Sequence, residues 1–326
     1  MITKLLTFLG ISLLITLLIA LGLIVSQRPK GAVSETGGLN FDDLLSRDLA
    51  ALKVDEVRLR DDSTTLVRQL SGPKGAPLVV LVHGSGWDGG QFDQIALGLS
   101  DVADVVAPDL RGHGASPDRR GDVDYIGQME DDLADVIKAY RRDENQPVVM
   151  LGHSSGGGLV IRFGNGLNRN LIDRAVLLAP FVQYDAPMTR KNAGGWTRVL
   201  TRRIVGLSML NMAGIRGLDH LVVMEFDMPK PVLDGPEGHR ATTAYSWRLN
   251  LGYAPRRDWQ GDIAALPDFL LIAGEDDEAF VSGGYAPEFS KHTDKGQYQI
   301  LPGVGHLDVV NDPRTLGAVQ AFLTDG

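Results

Sequence analysis

The first apolar stretch of the chain is also its longest. Leu5 to Val25 carries no charged side chain. Coiled as a helix at 1.5 Å per residue, those roughly 21 residues reach about 31 Å, close to the roughly 30 Å hydrocarbon core of a bilayer. A cleaved leader has an apolar region of only about 7–15 residues, ending at a small-x-small site, and Val25-Ser26-Gln27 is a poor site of that kind. The stretch predicts an uncleaved membrane anchor over 1–30. A cleaved leader and a buried core helix are the alternatives.

Beyond it the periodicity changes. Val54–Arg60 and Thr65–Leu70 alternate apolar and polar residues around Asp61-Asp62-Ser63, the pattern of a hairpin. Leu78–Val82, Val105–Ala107, Val148–Leu151, Ala175–Ala179 and Asp268–Ala273 are short apolar runs, as expected of parallel strands buried on both faces. Between them lie segments of helical length. In Tyr125–Arg142, for example, Ile126, Met129, Leu133, Val136, Ile137 and Tyr140 recur at helical spacing. Strands alternating with helices predict a three-layer α/β domain, whose ligands bind at the carboxyl ends of the strands.

The alternation lapses after Pro180 and resumes near Leu266. The interval holds Met188, Met209, Met212, Met224, Met228, Trp196 and Trp247 and is too long for a plain connection. It predicts an insertion, read as a helical cap over the carboxyl edge of the sheet. The expected division is an anchor over 1–30, a tether over 31–50, a core from 51–182 and 267–326, and a cap over 183–266.

Composition narrows the function. The chain has 326 residues, 44% hydrophobic and 22% charged, ordinary for a folded protein. Acids outnumber Lys plus Arg by 41 to 32, for a net charge of −9. Residues 1–30 hold Lys4, Arg28 and Lys30 and no acid, so the body is more acidic still, which argues against binding nucleic acid. The absence of cysteine removes disulfides, thiolate metal sites and a cysteine nucleophile. Lys4 and the amino terminus nearly balance Arg28 and Lys30 across the anchor. The reading adopted places the N-terminus inside and the body on the exported side.

Gly152-His153-Ser154-Ser155-Gly156 follows the apolar run Val148–Leu151 and precedes a helical segment. Strand, sharp turn and helix is the arrangement that lifts a serine hydroxyl onto a strained elbow. Taken alone it is also a glycine-rich turn with a capping serine. Leu271 to Asp277 places Glu275, Asp276 and Asp277 after a buried strand, and Leu301 to His306 ends a Gly-flanked loop on a histidine. Ser, Asp and His in that chain order, each after a strand, are together far less common by accident. His83-Gly84-Ser85-Gly86-Trp87 follows Leu78–Val82, where an exposed backbone N–H paired with that of Ser155 would make an oxyanion hole. Asp109–Ser116 (DLRGHGAS) reads as a structural loop beside the site.

With HGSG, DLRGHGAS, GHSSG, GEDD and GVGH in this order, the chain resembles the α/β-hydrolase superfamily over about residues 54–325. It is most similar to the lysophospholipase, monoacylglycerol lipase and serine aminopeptidase branch. The resemblance implies an α/β-hydrolase fold, with a mostly parallel eight-stranded sheet, helices on both faces and a cap. It implies Ser154 as nucleophile, His306 as general base and Asp277 as the acid, with Asp276 the alternative. Ser85 and Ser155 match the oxyanion donors, with Gly86 the alternative for the first. Ser155 stands where lipases of this branch commonly carry methionine or glutamine. No metal or organic cofactor is implied.

The expected activity is hydrolysis of a small carboxylic ester through an acyl-enzyme. An apolar or lipid-like acyl chain is favoured by the anchor, which keeps the body near a membrane, and by Val205–Met212 and Leu218–Met224 in the cap. Aminopeptidase or lactonase activity on the same fold remains open, since Glu225, Asp227, Asp234 and Glu237 are available to hold an amine. An acyltransferase or a non-catalytic binding protein remains open as well.

Overall fold

The computed structural model describes residues 1–31, 33–34, 38–41, 52–115 and 117–325. Helix α1 (Ile2–Ser26) and the short strand β1 (Val33–Ser34) come first. A hairpin of β2 (Lys53–Arg58) and β3 (Thr64–Leu70) follows, then β4 (Leu78–Val82), α2 (Asp93–Leu99) and β5 (Asp104–Pro108). Next come α3 (Gln128–Tyr140), β6 (Val148–His153), α4 (Ser155–Gly164) and β7 (Arg174–Leu178). The interval before the next core strand holds β8 (Thr197–Val199), α5 (Thr201–Met212), β9 (Val222–Phe226), β10 (Met228–Pro229), α6 (Lys230–Asp234), β11 (Ala244–Ser246), α7 (Trp247–Tyr253) and α8 (Trp259–Ala264). The chain closes with β12 (Asp268–Gly274), α9 (Tyr285–Phe289), β13 (Gly296–Leu301) and α10 (Pro313–Thr324).

Eight strands form one sheet in the order β13-β12-β7-β6-β4-β5-β3-β2. Only the pairings of β3, with β2 and with β5, are antiparallel. Every residue of β4, β5 and β6 is buried. Such strands have no solvent face, which is why they read as unbroken apolar runs rather than alternating ones. The edge strand β2 is largely exposed, as its polar alternation requires.

Three expectations are modified. The helix over 125–142 begins only at Gln128, because Gly127 adopts a left-handed φ of 101°; Tyr125 and Ile126 lie outside it, exposed. The interval after β7 contains helices, but also a three-stranded antiparallel sheet, β11-β9-β8. Strands of three residues such as β8 and β11 are too short to show alternation. Finally, the described part of 31–50 does not hang free. β1 pairs with β10, and Leu39 and Phe41 are buried in the main core. The rest of that segment, like Ser116 of the DLRGHGAS loop, lies outside the described residues.

Among the described residues, α1 is the one helix long and apolar enough to cross a membrane. Most of it is exposed. Ala20 and Ile24, however, join a second apolar cluster with Leu207, Leu210, Val223 and Trp247.

Candidate active site

The elbow is built by close backbone approach. Between β6 and α4, Ser154 takes φ 53° and ψ −121°, a strained conformation for a residue with a side chain. It is held there from both sides: its N–H donates to Leu178 O at 2.9 Å, and its carbonyl accepts from Phe181 N at 2.8 Å and Gly158 N at 3.1 Å. Position 156 must be glycine, since a Cβ there would sit 2.0 Å from Val82 O.

Above Ser154, the loop after β13 brings down His306. The Ser154 hydroxyl donates to His306 Nε2 at 3.0 Å, and His306 Nδ1–H donates to Asp277 Oδ2 at 2.8 Å. Asp277 leaves the end of β12, and its other oxygen accepts from Ala279 N at 2.8 Å and Phe280 N at 2.7 Å. Burial pushes the Asp277 carboxyl up. The adjoining His306 and the two backbone N–H groups outweigh it and hold the group below the usual carboxylate range. Asp276 points to solvent, and its backbone N–H donates to Val304 O at 3.0 Å. Glu278 fixes the loop by accepting from His306 N at 2.8 Å and from Asn40 N at 3.2 Å.

The turn after β4 faces the elbow. Gly84 N–H donates to Gln91 Oε1 at 2.9 Å, and Gly86 N–H donates to the Tyr245 hydroxyl at 3.0 Å. Gly86 is thereby occupied. The Ser85 N–H between them meets no acceptor among the described residues, and Ser155 N–H opens α4, where helix N–H groups have no intrahelical partner. The two side chains also touch, Ser85 Oγ to Ser155 Oγ at 2.5 Å. The arrangement leaves two backbone donors beside a hydroxyl that a histidine can deprotonate.

Two contributors, Gln91 and Tyr245, escaped sequence reasoning. Gln91 Nε2 donates to His153 Nδ1 at 2.7 Å, and His153 Nε2–H donates to His306 O at 2.9 Å, so the turn after β4 and the histidine loop share one relay. Tyr245 comes from β11 and its hydroxyl donates to His113 Nε2 at 2.6 Å. His83 donates through Nδ1 to Gly84 O at 2.8 Å and accepts Leu110 N–H at 3.0 Å. His153 lay inside the elbow motif, but no sequence signal pairs it with Gln91, or Tyr245 with Gly86.

A cleft opens over Ser154. Leu39, Phe41, Trp87, Trp196, Met228 and Leu307 form its apolar wall, and Ser85, Gln91, His153 and His306 its polar end. Among the described residues no carboxylate lines it. Glu225 is buried elsewhere, paired with Arg198 and accepting Gly31 N–H at 2.7 Å. Among the described residues no group of three His, Asp or Glu side chains is placed to hold a metal ion.

A family model described as "Serine aminopeptidase, S33" matches residues 73–313. Among curated proteins, "Probable protein phosphatase methylesterase 1" of Caenorhabditis elegans is 26% identical over 266 residues, covering 76% of this chain and 68% of the relative. Among solved structures, an esterase from Thermogutta terrifontis aligns with a TM-score of 0.57 at 19% identity, over 83% of this chain and 98% of its own. A bacterial membrane phospholipase A aligns with a TM-score of 0.60 at 18% identity, over 99% of this chain and 97% of its own. At these identities the structures share the fold.

Proposed function

We propose, from the premise that this chain belongs to the serine aminopeptidase, S33, family and has the α/β-hydrolase fold, that it is of the esterase and lipase type and hydrolyses carboxylic esters with an apolar acyl chain. The observation that carries the proposal is the cleft. It places aromatic and aliphatic side chains around Ser154 and, among the described residues, no carboxylate. An aminopeptidase must compensate the ammonium group of its substrate, because an unpaired charge in such a cleft is costly. An acyl chain needs only apolar walls.

In this reading Ser154 Oγ attacks the ester carbonyl as its proton passes to His306 Nε2. Asp277 keeps the proton of Nδ1 in place and stabilises the imidazolium. The backbone N–H groups of Ser85 and Ser155 receive the oxyanion; one such donor is typically worth about 10²–10³ in rate. The alcohol departs with the proton from His306, and water, activated by the same imidazole, releases the acid. Residues 183–266 serve as the cap. α1 serves as a membrane anchor, supported by its length and its uncharged, apolar composition.

The test uses the full chain in detergent, a fluorophosphonate probe, nitrophenyl esters from acetyl to palmitoyl and an aminoacyl nitroanilide. Labelling and ester turnover that vanish in Ser154→Ala, rising from acetyl to medium-chain esters, are expected. Preference for the nitroanilide would overturn the ester reading, and a declining chain-length series would overturn the apolar-chain reading.

A further inference from the structure

α1 and α5 lie side by side and antiparallel. Arg202 N–H, at the start of α5, donates to Gln27 Oε1 at the end of α1, at 2.8 Å. One turn on, a Cβ at Gly206 would meet Ala20 O at 2.5 Å and Ile24 Cγ1 at 2.7 Å. The backbones approach this closely because both residues at the crossing are small. As α5 runs on, it descends along α1 towards the amino terminus. Met212, six residues past Gly206, lies about 9 Å further down, level with about residue 16 of α1.

That level sets a length problem. Only residues 2–16 project beyond it, about 22 Å of helix. A hydrocarbon core is roughly 30 Å thick. For α1 to span it, about 8 Å of α5 must lie inside the same leaflet. Elements that rest in a membrane interface bury their apolar face about 5–10 Å.

The side chains at that end suit lipid. Met212 and Ile215 are exposed at 90% and 41%. The polar groups among them are satisfied internally, as an apolar medium demands. The Ser208 hydroxyl donates to Ile204 O at 2.9 Å, and Asn211 Nδ2 donates to Leu207 O at 3.1 Å and Asp219 Oδ1 at 2.6 Å. Arg216, exposed in the turn below α5, has the reach to carry its charge back to a phosphate.

We infer that the second half of α5 and the turn 213–217 dock into the lipid leaflet that α1 enters, so that cap and anchor sit on the bilayer as one unit. The inference rests on reading α1 as a membrane anchor. Trp196, which lines the cleft, lies just before β8 and α5, so the cleft wall and the docked helix belong to one continuous segment of the chain.

The chain has no cysteine, so single probes are clean. Met212→Cys, Ile215→Cys, Leu9→Cys and Leu167→Cys would each carry an environment-sensitive fluorophore on the full chain. Each would be reconstituted in phosphatidylcholine and phosphatidylglycerol vesicles containing lipids brominated at shallow or deep acyl positions. Leu167 lies beyond the far end of α4 and reports the side away from the elbow. Blue-shifted emission quenched by shallow bromines at 212 and 215, deep quenching at 9 and none at 167 are expected. Water-like emission at 212 and 215 with deep quenching at 9 would overturn the docking and leave the anchor standing. Water-like emission at 9 would overturn both. A blue shift that follows protein concentration and ignores brominated lipid would put a second copy on this face and also overturn the proposal.

Discussion

Arg240 grips Asp88 at two points, Nε to Oδ2 at 2.5 Å and Nη2 to Oδ1 at 2.7 Å, with the Asp88 side chain wholly buried. Arg240 lies between β7 and β12, whereas Asp88 lies in the turn that carries Ser85. Thr242 N–H adds a bond to Gly86 O at 2.9 Å. The interval over the sheet is therefore tied into the turn after β4 rather than merely resting on it. Asp88 keeps Arg68 Nη2 at 3.6 Å and the Gly90 N–H at 2.8 Å when Arg240 is removed, so the buried charge is weakly compensated rather than stranded, at about 1.5–3 kcal/mol for the charged hydrogen bonds lost. Arg240→Ala is expected to lower stability by that order in urea denaturation, and to reduce kcat more than it raises KM. Adding Asp88→Asn should restore part of the stability, since the buried charge that lost its closest partner is then gone.

Asp277 and Asp276 are separated by one experiment. Asp277→Asn retains the oxygen that accepts from Ala279 and Phe280 but offers His306 the wrong hydrogen-bonding group, so kcat should fall by about 10⁴ with the fold intact. Asp276→Asn, at an exposed side chain, should leave kcat within a few-fold. Steady-state ester kinetics with circular dichroism on both variants check this.

Stability should decline in mild acid. His83 and His113 are fully buried and neutral. Burial holds both below the ordinary imidazole value, and for His113 the neighbouring His83 adds to the shift. The unfolded chain binds these protons near pH 6.5 while the native state refuses them. Stability is thus complete above about 6.5 and falls below it, by up to about 1.4 kcal/mol per pH unit for each group. A proton on His113 Nε2 would also confront the Tyr245 O–H that donates there, and so disturb Gly86. Denaturation midpoints from pH 8 to 5 should drop below 6.5 in the wild type. In His113→Gln the drop should be shallower, from a lower starting stability.

Gln91 is expected to act as a positioning residue. Gln91→Leu removes the acceptor of Gly84 N–H and the bond from Gln91 Nε2 to His153 Nδ1, at a cost of about 1–3 kcal/mol. If part of that appears only when the oxyanion forms, kcat falls about tenfold or more while KM stays nearly constant. A purely structural role would lower the denaturation midpoint and leave kcat unchanged at 10 °C.

The α/β layering was legible because burial on both faces leaves a plain trace, as in Val79 and Val80 of β4 or Leu151 of β6. The elbow was legible because close approach at Gly156 demands one residue type. Asp277 could not be told from Asp276 by residue type alone, since which carboxylate turns inward depends on how the loop leaves β12. β8 and β11 were hidden because three residues carry no period. Leu39 and Phe41 were hidden because two apolar side chains in a polar stretch have no pattern to join.

By itself the sequence determined the order of the core strands, the elbow, an apolar helix of bilayer length and the absence of cysteine chemistry, all properties of local spacing and residue type. The tertiary structure alone decided what stands opposite what: Tyr245 against Gly86, Gln91 against His153, Gly206 against Ala20. These pairs lie from about 60 to more than 180 residues apart in the chain. Each is a single contact whose partners are chosen by the packing of the sheet and its cover, and one contact between distant residues imposes no periodicity on either of the segments that make it.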